Sequence, residues 1–92
     1  MDNLTIARTL LAYARSLQDS GVHLYRARAY RQATQTILRL DLSVSDLVAE
    51  GGRRALRVLP GVGSHLAYTL EELVRTGEFR TWDERTVGAG AA

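Results

Sequence analysis

The sequence predicts an all-α domain of four short helices, with one tight hairpin between the third and the fourth. Apolar residues recur at steps of three and four along several segments, which is the spacing of amphipathic helices. Glycines follow these segments, where helices commonly close on a left-handed residue. No stretch alternates as a β-strand does. A chain of 92 residues can bury one modest core, so we expect a single domain over 3–80 and a C-terminal tail over 81–92, disordered at its end.

The first helix is predicted to end at about Ser20, with Asn3 or Thr5 as its N-cap and Gly21 just beyond its end. Its apolar stripe consists of Ile6, Leu10, Tyr13, Ala14 and Leu17. The second helix is predicted over roughly Tyr25 to Arg39. Its apolar stripe consists of Tyr30, Ala33, Ile37 and Leu40. A polar set occupies the far side of this helix, either as a solvated face or as a contact surface: Arg28, Arg31, Gln35 and Arg39.

A short third helix is predicted over Ser45 to Glu50, capped by Ser45 and ended by the glycine pair 51–52. The fourth helix is predicted from Ser64 to about Thr76, with Gly77 after its end. Its apolar stripe consists of Leu66, Leu70, Leu73 and Val74. Beyond it, Phe79 and Trp82 are expected to fold back onto the core.

The composition excludes several kinds of site. There is no cysteine, so disulfides and thiolate metal sites are ruled out. All twelve basic side chains are arginine, which stays protonated and cannot serve as an amine nucleophile. No apolar run approaches the roughly 20 residues that span a bilayer, and the start of the chain is unlike a secretory signal. We therefore expect no membrane partner and a cytoplasmic location, associated with the nucleoid in a bacterium.

The loop between the third and fourth helices carries the functional signal. Pro60 followed by Gly61 favours a type II turn, which needs a positive φ at its third residue. Gly63 has no side chain, so a backbone or a phosphate can approach closely. Ser64 is the expected N-cap of the next helix, and free amides at a helix N-terminus bind anions. The basic residues that precede the hairpin add attraction for phosphate: Arg53, Arg54 and Arg57.

From Asn3 to Phe79 the chain resembles the N-terminal domain of the X-family DNA polymerases, a helix-hairpin-helix domain also called the 8-kDa or lyase domain. Three segments carry the resemblance: Tyr25 to Ala33 (YRARAYRQA), Leu59 to Gly63 (LPGVG), and the pair Thr76 and Gly77. The resemblance implies a four-helix fold that binds gapped or nicked DNA and recognises a 5′-phosphate. The leading hypothesis is a DNA-binding module without sequence preference that acts in DNA repair, either alone or beside a partner protein. A monomer is expected.

The resemblance also implies site residues. By position it assigns phosphate contacts to Arg26, Tyr30, Arg57 and His65, although Tyr30 also lies on the predicted core face. The family hairpin can bind a monovalent cation, Na⁺ or K⁺, through backbone carbonyls. Those carbonyl positions are held here by Arg57, Leu59 and Val62. No cofactor is otherwise expected.

One departure from the family pattern concerns catalysis. Lyase members form a Schiff base on a lysine of the fourth helix, and the matching position here is Thr69. We therefore expect a DNA-binding domain that is not an enzyme. Two alternatives remain: a degenerate 5′-deoxyribose phosphate lyase, and a protein-interaction module that binds no nucleic acid. The placement of the arginines separates binding to DNA from binding to protein, since they either gather at the hairpin or pair with the ten acidic residues.

Overall fold

The computed structural model describes residues 1–21 and 23–82 and confirms the all-α prediction. Four helices follow one another: α1 (Asn3–Ser20), α2 (Leu24–Arg39), α3 (Val44–Arg57) and α4 (Ser64–Thr76). The described part of the chain contains no strand. Helices α1 and α2 pack against each other, as do α3 and α4. The hairpin joins α3 to α4, as the sequence predicts.

The start of α1 differs from the prediction, because the N-cap is Asp2 and neither Asn3 nor Thr5. The Asp2 carboxylate accepts the Thr5 amide at 2.8 Å, and hydrogen bonds from Thr5 lower the pKa of that carboxyl. Asn3 serves a different purpose, since its side-chain amide donates to the Leu42 carbonyl at 2.8 Å and accepts the Val44 amide at 2.9 Å. Asn3 thus fastens the α2–α3 loop to the beginning of the chain.

Helix α3 is longer than predicted, and its cap is Ser43 instead of Ser45. The Ser43 hydroxyl accepts the Asp46 amide at 3.3 Å. The glycine pair breaks the helix without ending it: Gly52 has φ 59° and ψ −148°, and the chain then continues helically to Arg57. The continuation is supported from α4, where the Glu71 carboxylate accepts the Arg53 amide at 3.1 Å. That bond satisfies a backbone donor that the kink leaves without a helical partner.

Replacing Gly52 by alanine should lower the free energy of unfolding by about 1–3 kcal/mol, because its conformation is essentially restricted to glycine. The new Cβ would also lie 3.3 Å from the Glu71 carboxylate. Gly21→Ala is the comparison, since Gly21 has φ 72° in the milder left-handed region with no atom within 4 Å of an added Cβ. Urea unfolding should show the larger loss for Gly52→Ala. Equal losses would contradict the strain assigned to the kink.

The core is formed by the inward faces of all four helices, and the segment after α4 completes it. Tyr13, Tyr30 and Phe79 form an aromatic cluster, with the Tyr13 ring centroid 4.8 Å from each of the other two. Phe79 therefore folds back as expected. Thr81 is buried as well, so the packed chain continues past the predicted domain limit at residue 80. The predicted disordered end lies outside the described residues.

Candidate functional site

The loop before α4 forms the type II turn that its sequence predicts. Gly61 has φ 78°, and the Val62 amide donates to the Leu59 carbonyl at 3.1 Å across the turn. The Val62 side chain is buried in the core. On the other side, the Thr36 hydroxyl of α2 donates to the Pro60 carbonyl at 2.8 Å. The turn is therefore fixed from both sides, and its backbone amides are held in place before any ligand arrives.

The start of α4 lacks a side-chain cap. Its N-cap is Gly63, in an extended conformation (φ −92°, ψ −168°), and no side chain accepts from the first turn. Ser64 is the first helical residue, so the prediction that it caps the helix is wrong. Gly63 and Ser64 are exposed, and a Cβ added to Gly63 would meet no atom within 4 Å. Because Gly63 provides no side-chain cap, the first amides of α4 are available to an anion.

A groove of about 590 Å³ lies between the hairpin and α2, and we call it the hairpin groove. It brings together the two segments that the sequence analysis singled out, although about thirty residues of chain separate them. Six of the nine predicted DNA-contact residues line it: Arg26, Tyr30, Gly61, Gly63, Ser64 and His65. Its remaining lining includes Tyr25, Ala29 and Gln32 from α2, and Thr81 and Trp82 from the segment after α4.

Tyr30 belongs to the core more than to the surface. Its side chain is only 5% exposed, and its ring stands edge-on to Tyr13. Its ring also lies 6.1 Å from the Phe79 ring, so packing in the core explains its position. Arg26, by contrast, is half-buried at the groove itself, and among the described residues it is the only arginine in the lining.

The three arginines before the hairpin lie outside the groove. Arg53 is committed to the fold, because its guanidinium pairs with the Glu71 carboxylate at 3.0 Å and lies 5.8 Å from the centre of the Tyr68 ring. Arg54 and Arg57 are exposed on the last turns of α3. Within residues 1–21 and 23–82, no acidic side chain pairs with either of them. Of these three arginines, Arg53 is therefore in an ion pair, whereas Arg54 and Arg57 remain available for a ligand beside the hairpin.

Sequence reasoning missed two aromatic residues of the groove. Trp82 stacks on His65, with ring centroids 5.6 Å apart and an angle of 6° between the planes. Its ring also meets Tyr68 edge-on at 5.5 Å, so Trp82 folds back onto α4 at the groove. Tyr25 lines the opposite wall and is 86% exposed. The sequence analysis expected Trp82 to fold back onto the core and placed Tyr25 at the start of the second helix, but it assigned neither residue to the binding site.

Thr69, the position that the resemblance matches to a lyase nucleophile, is completely buried in α4. Its hydroxyl has no hydrogen-bond partner, and the residue does not line the hairpin groove. A side chain at this position is therefore enclosed by the core instead of facing a bound substrate.

The predicted cation site draws on three carbonyls of the hairpin, those of Arg57, Leu59 and Val62. The Leu59 carbonyl already accepts the Val62 amide, so only its second lone pair is available to a cation. Binding of Na⁺ or K⁺ here stays a prediction. Elsewhere among the described residues, no group of three acidic or histidine side chains is placed to hold a metal ion.

None of the helices in the described part of the chain has both the length and the apolar character needed to cross a bilayer. A family model for the helix-hairpin-helix domain matches residues 1–79. Domains of that kind generally bind DNA without sequence preference. No curated protein and no solved structure matches the chain.

Proposed function

Because this chain belongs to the helix-hairpin-helix domain family, we propose that it binds DNA through phosphate contacts, without sequence preference. One observation carries the proposal: Arg26 lines the same groove as Gly63 and Ser64, which form the uncapped start of α4. Amide donors and a guanidinium are the groups that proteins use to bind phosphate oxygens. Such contacts position DNA but carry no sequence information.

The proposed complex has a phosphate at Gly63 and Ser64, where it accepts from the first amides of α4. Arg26 approaches the same phosphate from α2. Arg54 and Arg57 contact neighbouring phosphates, because neither pairs with an acid in the described part of the chain. Arg53 contributes less, since its guanidinium is paired with the Glu71 carboxylate, which also pairs with Arg75 at 3.5 Å.

We further propose that the groove favours a 5′-phosphate at a gap or nick, which would place the protein in DNA repair. The groove is a concave site of about 590 Å³, and a terminal phosphate offers it more acceptor oxygens and more negative charge than an internal one. No step of catalysis is assigned. The chain offers no lysine, and the position matched to the lyase nucleophile is enclosed in the core.

The testing experiment is a titration by fluorescence anisotropy against single-stranded, duplex and 5′-phosphorylated gapped DNA, each at two salt concentrations. Affinity should fall as salt rises, since bound phosphates release counterions. A 5′-phosphate should improve binding to gapped DNA by on the order of 1 kcal/mol. Equal affinity for 5′-hydroxyl and 5′-phosphate ends would remove the end preference and leave the general DNA proposal standing.

Neutralising Arg54 and Arg57 together should weaken binding to all sequences alike. The slope of log affinity against log salt should become shallower by about one to two units, roughly one per lost phosphate contact. The control is Arg8→Gln with Arg39→Gln, which removes the same charge from exposed positions outside the hairpin groove. A loss that depended on sequence would indicate base readout and contradict the proposal.

A protein-interaction module is the second candidate, and exposed apolar side chains favour it. Leu4, Leu38 and Leu42 are each at least half exposed, and none lines the hairpin groove. Single exposed leucines are common on monomers, so the phosphate-binding geometry outweighs them. If the protein bound none of the three DNAs at low salt, the protein-interaction module would become the favoured function.

A further inference from the structure

The second helix is the most one-sided in charge of the four. Its sequence holds four arginines and no acidic residue. Arg26 lines the hairpin groove, but Arg28 and Arg31 line a different cavity of about 310 Å³. We call this cavity the α1–α2 groove, and its remaining lining is Gln18, Leu24 and Ala27. The N-terminal half of α2 is therefore the shared wall of two grooves, with arginine in each.

Helical geometry puts the two grooves on opposite sides of α2. A step of two residues turns about 200° around a helix axis, so Arg26 and Arg28 point in nearly opposite directions. Arg31 lies one turn further along the helix from Arg28, on the same side. Helix α2 therefore carries arginine on both sides. Arg26 lies on the side of the hairpin groove. Arg28 and Arg31 lie on the other side, which has no part in the DNA contacts proposed above.

The positive charges of Arg28 and Arg31 in the α1–α2 groove are not neutralised by nearby acidic side chains of the described residues. The Arg31 guanidinium donates to the side-chain carbonyl of Gln18, which holds it at the groove. Both arginines are exposed, and no acidic side chain among the described residues pairs with either. A guanidinium fixed by a neutral partner keeps its full charge and its remaining donors for a phosphate.

The end of α2 between the two grooves is also favourable to an anion. Its N-cap, His23, makes no side-chain cap hydrogen bond, so no cap from that residue shields the first turn. The positive end of the helix dipole adds to the charge of the arginines on either side.

We propose that Arg28 and Arg31 form a second phosphate-binding site, so that a DNA strand held in the hairpin groove continues over the N-terminal end of α2 into the α1–α2 groove. This inference rests on the proposed DNA binding. A helix with its side chains is about 10–12 Å across. The two sites are therefore far enough apart to contact different phosphates of one strand.

The test compares Arg28→Gln with Arg31→Gln, made together, against the control pair Arg8→Gln and Arg39→Gln. Both pairs remove two exposed charges, and Arg39 stands on the same helix at its far end. The first pair should weaken binding to gapped DNA several-fold more than the control, and should flatten the salt slope by about one to two units. Replacement of Arg28 and Arg31 by lysine, which keeps the charge, should restore most of that slope.

Gly63→Val is measured in parallel to separate this inference from the proposed function. If Gly63→Val weakens binding while the Arg28 and Arg31 pair matches the control, the second site is absent and the hairpin site stands. If the unaltered protein binds no DNA, both proposals fall. Circular dichroism of every variant shows that the helices are intact, as expected for exposed positions.

Discussion

Replacing Thr69 by lysine should cost this domain roughly 3–5 kcal/mol of its free energy of unfolding, the usual cost of a buried charge without a partner. Thr69 is completely enclosed in α4, and the longer side chain would have to displace core atoms as well. A domain of this size has a stability of about 5–15 kcal/mol. The variant should therefore lose a large part of its stability and unfold at a lower temperature and a lower urea concentration than the unaltered protein.

Thermal and urea unfolding measure this loss, and Thr69→Val is the matched control. Valine has nearly the same shape as threonine and removes the hydroxyl that lacks a partner, so it should stabilise the protein by about 1 kcal/mol. Opposite signs for the two substitutions are the signature of a core position. A fully stable Thr69→Lys protein would show that the position has access to the surface.

The same substitution bears on the lyase alternative. A lysine that formed a Schiff base would have to reach the hairpin groove, and residue 69 does not line it. We expect borohydride to trap no covalent adduct between the protein and an incised abasic substrate, either in the unaltered chain or in folded Thr69→Lys. An adduct that survived blocking of the Met1 α-amino group would overturn the proposal that the domain is not an enzyme.

Gly63→Val should reduce DNA affinity about tenfold or more and leave the fold intact. The branched side chain would occupy the open space beside Gly63, at the N-terminal end of α4, where the proposed phosphate binds. Losing one hydrogen bond to a charged group costs about 1.5–3 kcal/mol, and each 1.4 kcal/mol is about a factor of ten in affinity. The backbone at Gly63 has an ordinary negative φ, so valine introduces no strain there.

Anisotropy titration gives the affinity, and circular dichroism checks the helices. Valine is a poor N-cap, so Gly63→Ser separates blocking of the phosphate from weakening of the helix start. Serine is a good N-cap and should keep or raise stability, yet its side chain still stands in the phosphate's path and its hydroxyl competes for the amides. Unchanged affinity in both folded variants would reduce the hairpin to a connector between helices.

Local signals in the sequence were sufficient for the helices and for the turn. The apolar periodicity places α2 and α4 within a residue of their observed limits, because a helix buries the face that its own spacing creates. Gly21 and Gly77 close their helices in the left-handed conformation, as predicted. The type II turn at Gly61 depends only on residues within the turn, so it too could be predicted from sequence.

Predictions about the caps and the third helix were wrong where distant residues decide the outcome. Asn3 could have capped α1 but is bound to the α2–α3 loop about forty residues away. The glycine pair breaks α3 and would have ended it, except that Glu71 of α4 supports the chain beyond the break. Helix propensity depends only on local sequence, and its free energy is similar to that of a single hydrogen bond to an uncapped amide. One tertiary hydrogen bond can therefore outweigh a local preference.

The amino-acid sequence by itself determined the all-α class, the turn, and the side chains that the chain lacks, namely lysine as a nucleophile and cysteine as a thiolate ligand. These follow from residue identity and from spacing over a few positions. Only the tertiary structure decided which arginines face a groove, because Arg26 and Arg53 look alike in sequence yet one lines the hairpin groove and the other pairs with Glu71. The tertiary structure also buries Thr69 and stacks Trp82 on His65. Such contacts join residues that are far apart along the chain, so local sequence patterns do not predict them.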